Sequence, residues 1–178
     1  AGGIAGMSVD RYERQFQPEV FGLPGFGWSQ VIDEPAYRAR LSALDPAKRK
    51  AALQAALKDP RDSATPEASV AFVEAQAKGN WLREPPHSAL IDRITLETKS
   101  GPDRIRAGLP QGARFAHKTG AGLTMDGINH ATNDIGLVTL PNGRVFAIAV
   151  YLAGSTADAK AREAAHAAVA RLAVSALR

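Results

Sequence analysis

The chain contains no cysteine among its 178 residues. Disulfides and thiolate metal sites are therefore excluded, and the redox compartment stays open. No apolar run reaches membrane-spanning length, and the first residues lack the basic-then-apolar order of a secretory leader. The opening Ala1-Gly2-Gly3 reads instead as a cut edge. The four histidines follow no metal-ligand spacing. His87 and His166 are expected on helix surfaces, His130 in an extended loop and His117 on the back of a strand in a structural role. Basic residues outnumber acidic ones by 22 to 18, for a net charge of +4, but they are scattered and never interleave with aromatics. Nucleic acid is therefore not an expected partner. The glycines of Phe21–Trp28 lack the strand-to-helix setting of a phosphate loop. There is no internal repeat and no low-complexity tract.

What remains is an ordinary globular composition, 45% hydrophobic and 22% charged, of a length suited to one domain. Residues 14–44 are rich in Pro, Gly and aromatics and read as a packed loop. Asp45-Pro46 supplies an N-cap and a first-turn proline for a helix near 46–58. Thr65-Pro66-Glu67 starts a second helix, with Val70, Val73 and Ala77 at helical spacing up to a Gly79-Asn80 stop. A third runs from Pro86 to about Leu96 with Leu90, Ile91 and Ile94 as its apolar face. Strands follow at about 113–120, 133–140 and 144–152, the last two joined by Pro141-Asn142-Gly143, where Asn-Gly accepts positive φ readily. A long helix over 157–177 closes the chain and offers Ala164, Ala168, Leu172 and Val174 to the sheet. The expected class is α+β, of the α/β sandwich type: antiparallel strands flanked by helices.

The most informative stretch is His117-Lys118-Thr119-Gly120-Ala121-Gly122. At a strand end it presents an ammonium and a hydroxyl suited to an anionic group, then small residues whose backbone N–H groups stay open to an oxyanion. Alone, this triplet is common. It gains weight from its company: Arg11-Tyr12-Glu13, then Asp62-Ser63-Ala64-Thr65-Pro66, then Thr98–Pro110, then Thr132-Asn133-Asp134-Ile135. In this order they resemble the C-terminal part of a class A β-lactamase from its Ω-loop onward, over residues 9–13 and about 60–178.

The resemblance implies roles residue by residue. Lys118 would stabilise the substrate carboxylate and support proton transfer, Thr119 would hydrogen-bond the same carboxylate, Gly120 would let the ligand approach the backbone closely, and the Ala121 N–H would form half of an oxyanion hole. Glu13 would be the general base that activates the deacylating water, with Gln17 where the family has an asparagine that helps hold that water. Arg11 and Asp62 would clasp the ends of the Ω-loop, here lengthened to about 10–62 with the helix near 46–58 inserted. Thr132 stands where many members carry a carboxylate-binding arginine. Arg104 matches a second place from which that guanidinium can come, a surface arginine beside Arg106 being the other reading. No serine begins a Ser-x-x-Lys and there is no Ser-Asp-Asn. The nucleophile is therefore expected in a missing N-terminal part, and the chain alone is expected to be inactive.

The function implied is that of a serine hydrolase that opens a β-lactam, or a peptidoglycan-like amide, through an acyl-enzyme. A D-Ala-D-Ala peptidase or esterase on the same fold, and an inactive fragment or binding module, are the alternatives. No metal or organic cofactor is implied, and export to the periplasm or beyond follows only from the resemblance.

Overall fold

In the computed structural model, residues 3–27, 30–31, 33–79, 82 and 84–177 are described; Trp28 and Asn80, named above, lie outside them. The helices are α1 (Glu13–Val20), α2 (Glu34–Ala43), α3 (Pro46–Ala56), α4 (Pro66–Ala77), α5 (Pro85–Leu96) and α6 (Ala159–Ala176). The strands are β1 (Arg114–Ala121), β2 (Thr124–Met125), β3 (Ile128–Thr139) and β4 (Val145–Ser155), and a short 3-10 turn spans Ile105–Gly108. Central β3 pairs antiparallel with β1 along one edge and β4 along the other, while β2 extends the β1 edge. This is an α+β fold with helices on both sheet faces.

Local chemistry accounts for most of these boundaries. Asp33, Asp45, Thr65 and Asp158 each turn a side-chain oxygen onto a backbone N–H of the first turn of α2, α3, α4 and α6. Such caps satisfy donors that a helix start otherwise leaves unpaired. The Leu140–Arg144 turn follows the expected Asn-Gly hairpin, with Gly143 at φ 84°. A second hairpin was not anticipated. Asp126 and Gly127 take φ of 50° and 75° between paired Met125 and Ile128, the conformation of a two-residue turn with both φ positive. The third strand consequently begins at Ile128 and contains His130, which the sequence reading had left in a loop.

The β1–β3 register places Phe115 opposite Val138 and His117 opposite Gly136. On this face Ile105, Phe115, Val138, Ile148, Val150, Ala170 and Val174 form the core beneath α6. Burying each larger side chain stabilises by about 1.5–3 kcal/mol. The buried stripe of α6 is His166, Ala167, Ala170 and Val174, while Leu172 is 72% exposed. The expected set of Ala164, Ala168 and Leu172 is thus rotated away, and His166 is not a surface residue. In a helix this rich in alanine, apolar spacing gives little phase information.

A second cluster, Val20, Phe21, Leu23, Tyr37, Leu41 and Leu53, lies wholly within the lengthened segment and packs on Leu123, Met125 and Ile128. Residues 14–44, read as a packed loop, therefore hold most of α1 and all of α2, and with the expected α3 they surround a core of their own. Asp33-Glu34-Pro35 carries the same cap-and-proline signal as Asp45-Pro46, and it starts α2. Arg49 fastens this unit to the sheet. Its Nε and Nη2 donate to Asp126 at 2.8 and 2.7 Å, and its Nη1 donates to the carbonyls of Leu41, Ser42 and Leu44. A fork held on both sides couples the α2–α3 turn to the β2–β3 turn.

One expectation fails by exposure. Leu90, Ile91 and Ile94 on α5 are 43%, 38% and 52% exposed, whereas Ser88 on the same helix is buried. The apolar stripe is present but largely uncovered, with Ile91 at the edge of a cavity against α4 and β1.

Candidate active site

Lys118 is exposed on β1 opposite Ile135, on the sheet face away from His117, and its ammonium donates to the Thr119 carbonyl. The alternation of a strand makes that separation automatic. On the reverse face His117 Nδ1 and Asp134 Oδ1 lie 2.8 Å apart with both side chains fully buried, and the His117 ring stacks on Phe115 at 4.2 Å. His117 thus stiffens the strand that presents Lys118.

Thr119 shares a 2.7 Å hydrogen bond with Ser100, and Gly120 pairs with Asn133. Behind them lies Arg104, buried rather than on the surface. Its Nη1 donates to the Gly120 and Asn133 carbonyls at 3.0 and 2.9 Å, and Glu163 stands 3.8 Å from its Nε. The guanidinium therefore places fixed positive charge beneath the Lys118–Gly120 strand end. Thr132 stands opposite Ala121 in the β1–β3 register. It is buried on the α6 face, its hydroxyl donating to Asn129 Oδ1 at 2.8 Å and accepting from Arg162 Nε at 2.9 Å. That hydroxyl is fully used in joining β3 to α6.

Glu13 opens α1, where a carboxylate complements the positive end of the helix. Gln17, one turn on, donates its amide to Glu13 Oε1 at 3.1 Å. Gln17 also lines two cavities. One, of about 430 Å³, is shared with Ala121, Gly122, His130 and Asn133. The other, of about 580 Å³, is shared with Glu13, Phe26, Tyr37 and Leu123. Gln17 thus faces the end of β1 across open space, while Glu13 borders the second cavity. Burial holds the His130 imidazole below its usual pKa. Lys118 borders a separate, smaller cavity between the sheet, α4 and α5. No group of three or more His, Asp or Glu suited to a metal ion occurs among the described residues.

Arg11 and Asp62 close the segment that carries Glu13. Arg11 Nε donates to Asp62 Oδ2 at 2.6 Å, while the Arg11 and Asp10 backbone N–H groups donate to Oδ1 at 2.9 and 2.6 Å. Arg11 reaches Glu19 and Asp59 as well, and its guanidinium lies 5.1 Å from the Phe16 ring centre. Burial pushes the Asp62 carboxyl up, but the Arg11 side chain and the two backbone N–H donors outweigh it and hold the group below its usual range. Asp59, hydrogen-bonded chiefly by Arg61, is lowered to about 2.

Both carboxyl groups bind protons less readily folded than unfolded. Their contribution is therefore complete above the unfolded value of about 4 and is lost as pH falls through the folded values toward about 2. Asp62→Asn is expected to cost about 2 kcal/mol at pH 7, between the values for exposed and buried pairs, and less at pH 2. Urea unfolding at both pH values checks this, and an equal loss at both would contradict it.

Comparison with known proteins adds a consistent set of likenesses. The profile described as "Beta-lactamase enzyme family" matches residues 27–177. The extended-spectrum beta-lactamase PER-1 of Pseudomonas aeruginosa is 40% identical over 85 residues, which are 48% of this chain and 28% of that relative. The crystal structure of the TLA-1 extended-spectrum beta-lactamase superposes with a TM-score of 0.63 at 37% identity, covering 66% of this chain and 43% of that one. A beta-lactamase structure from Chitinophaga pinensis gives the same TM-score at 33% identity, over 73% of this chain and 48% of that one. The chain thus spans about a third to a half of its relatives' length.

Proposed function

This chain belongs to the beta-lactamase enzyme family, and we propose that it forms the base-bearing and anion-binding walls of a serine hydrolase that opens a β-lactam amide. One observation carries the reading: Gln17, hydrogen-bonded to Glu13, lines the same cavity as Ala121 and Asn133. Through Gln17 the proposed base is joined to the space beside the strand-end N–H, as a two-step acyl transfer requires.

The serine nucleophile comes from sequence outside these residues. Its oxygen attacks the lactam carbonyl, the C–N bond breaks, and the ring nitrogen takes up a proton. The Ala121 N–H, with a second donor beside the serine, stabilises the oxyanion; each such donor is worth roughly 10²–10³ in rate. Lys118 and Thr119 hold the substrate carboxylate, and Arg104 beneath them strengthens the local positive potential. Glu13 then takes a proton from water, whose oxygen attacks the ester carbonyl and returns the serine to its free form. Gln17 orients the Glu13 carboxylate for that step. Arg11 and Asp62 fix the segment on which Glu13 stands. The reaction needs no metal and no organic cofactor.

The exposed Leu90, Ile91 and Ile94 face of α5 supports the same reading, because the portion carrying the nucleophile needs an apolar face to pack on. Export from the cytoplasm goes with this activity. The test is hydrolysis of nitrocefin by the whole protein beside the 178-residue chain alone. The whole protein is expected to turn over and the chain alone to give none; hydrolysis by the chain alone would refute an external nucleophile.

A further inference from the structure

The alternation of backbone groups along an antiparallel pair sets the direction of the Ala121 N–H. In such a pair, residues that turn their N–H and C=O toward the partner alternate with residues that turn both away. The Gly122 N–H donates to the Ala131 carbonyl at 2.8 Å, and Gly120, two places back, stands opposite Asn133. Ala121, between them and opposite Thr132, therefore directs its N–H away from β3. Among the described residues β1 has no neighbour on its other side, and Ala121 is exposed. Its N–H lies on the open side of the strand.

That N–H is one end of a rigid unit. A trans peptide is planar, with its C=O and N–H pointing in opposite directions, so the Gly120 carbonyl and the Ala121 N–H turn together. Arg104 grips the carbonyl. Its Nη1 donates to the Gly120 and Asn133 oxygens at 3.0 and 2.9 Å, bridging one register pair of β1 and β3. Both Nη1 hydrogens are thereby committed to protein carbonyls. The guanidinium is itself fixed: Arg104 is 9% exposed, and Glu163 on α6 lies 3.8 Å from its Nε. Gly101 leaves the side chain its room, since a Cβ there would stand 3.0 Å from Arg104 Cδ and 2.8 Å from Thr119 Cγ2. A hydrogen bond from a charged donor is about twice as strong as a neutral one. It polarises the peptide and strengthens the N–H at the far end, by roughly 10–30%.

We propose that Arg104 is a positioning residue for the oxyanion donor: by holding the Gly120 carbonyl it aims the Ala121 N–H and makes it a stronger donor. The proposal rests on the reading of Ala121 above. It gives Arg104 a task distinct from binding the substrate carboxylate, which falls to Lys118 and Thr119. Arg104 acts through the peptide and on the rate, not on the strength of substrate binding.

The test is Arg104→Lys in the whole protein, which keeps the charge but replaces the planar fork by a point donor. With benzylpenicillin, kcat is expected to fall about 10-fold, a part of the roughly 10²–10³ that losing a whole donor costs, while KM stays within about 2-fold. In the Glu13→Ala background, the infrared stretch of the acyl carbonyl should move to higher wavenumber. That shift marks a weaker oxyanion contact, which a general loss of stability does not produce. A stretch that stays in place, or a raised KM with kcat kept, would overturn the proposal and leave the hydrolase intact. If no β-lactam acylates the protein, the hydrolase reading falls, and the Ala121 amide nitrogen resonance of labelled whole protein decides whether Arg104 controls that N–H. A shift on Arg104→Lys supports the control; no shift overturns it. Should Arg104→Lys fail to fold, a scalar coupling across the hydrogen bond from Arg104 Nη1 to the Gly120 carbonyl carbon is expected in the unsubstituted protein, and its absence overturns the proposal.

Discussion

Glu13→Ala in the whole protein is expected to lower steady-state turnover by about 10²–10⁴, the usual contribution of a general base, and to leave the enzyme charged with substrate. The carboxylate stands at the start of α1, hydrogen-bonded to Gln17 and on a different element from β1. Its loss therefore spares the Lys118–Ala121 wall, and the first acyl transfer should proceed. The ester then waits for a water that no group deprotonates. A rapid burst of one equivalent of product followed by slow release is the expected trace. Gln17→Ala should give a milder form of the same defect, since it removes only the 3.1 Å bond that orients Glu13. A slow enzyme with no burst would mean that Glu13 acts before acylation, or only structurally.

A large effect on stability is expected at Gly136. A Cβ there would stand 2.3 Å from the Ala116 carbonyl oxygen and 2.7 Å from the His117 Cβ, both on the paired strand. Neither neighbour is a flexible side-chain end, so the β1–β3 ladder must part for the methyl group to fit. The missing side chain also leaves room for His117 to lie across the strand toward Asp134 and stack on Phe115. Gly136→Ala should cost about 3 kcal/mol, the upper end for overpacking a tight core, and lower the melting temperature by several degrees or more. Because β1 also presents Lys118, the same variant should weaken binding of the substrate carboxylate. A loss below about 1 kcal/mol would show that the two strands give way easily.

Much of this was legible in the sequence, for identifiable reasons. Thr65 and Asp45 are caps that act within one turn, and α4 and α3 start where they stand. Asn142-Gly143 fixes a hairpin by its own conformational preference. Arg11 and Asp62 are 51 residues apart, and their pairing follows from the family resemblance, not from spacing. Asp126-Gly127 carried as clear a turn signal as Asn142-Gly143 but was passed over beside the Lys-Thr-Gly motif. Alanine hid the face of α6, since a residue that fits anywhere marks no side. The glycines of 21–27 obscured the helices around them. Arg49 and Thr132 lay beyond the reach of sequence altogether. The first looks like any helix-surface arginine until Asp126 is brought to it, and the second has a hydroxyl that accepts from Arg162 on a distant helix.

The central claim is that these residues serve a serine they do not themselves contain. Peptide mapping by mass spectrometry, after incubating the Glu13→Ala whole protein with benzylpenicillin, tests it most directly. The account predicts one acyl group, added with the mass of the intact substrate, on a serine outside the 178 residues. An acyl group on a residue of this chain, such as Ser100 or Thr119, or no adduct at all, would contradict it.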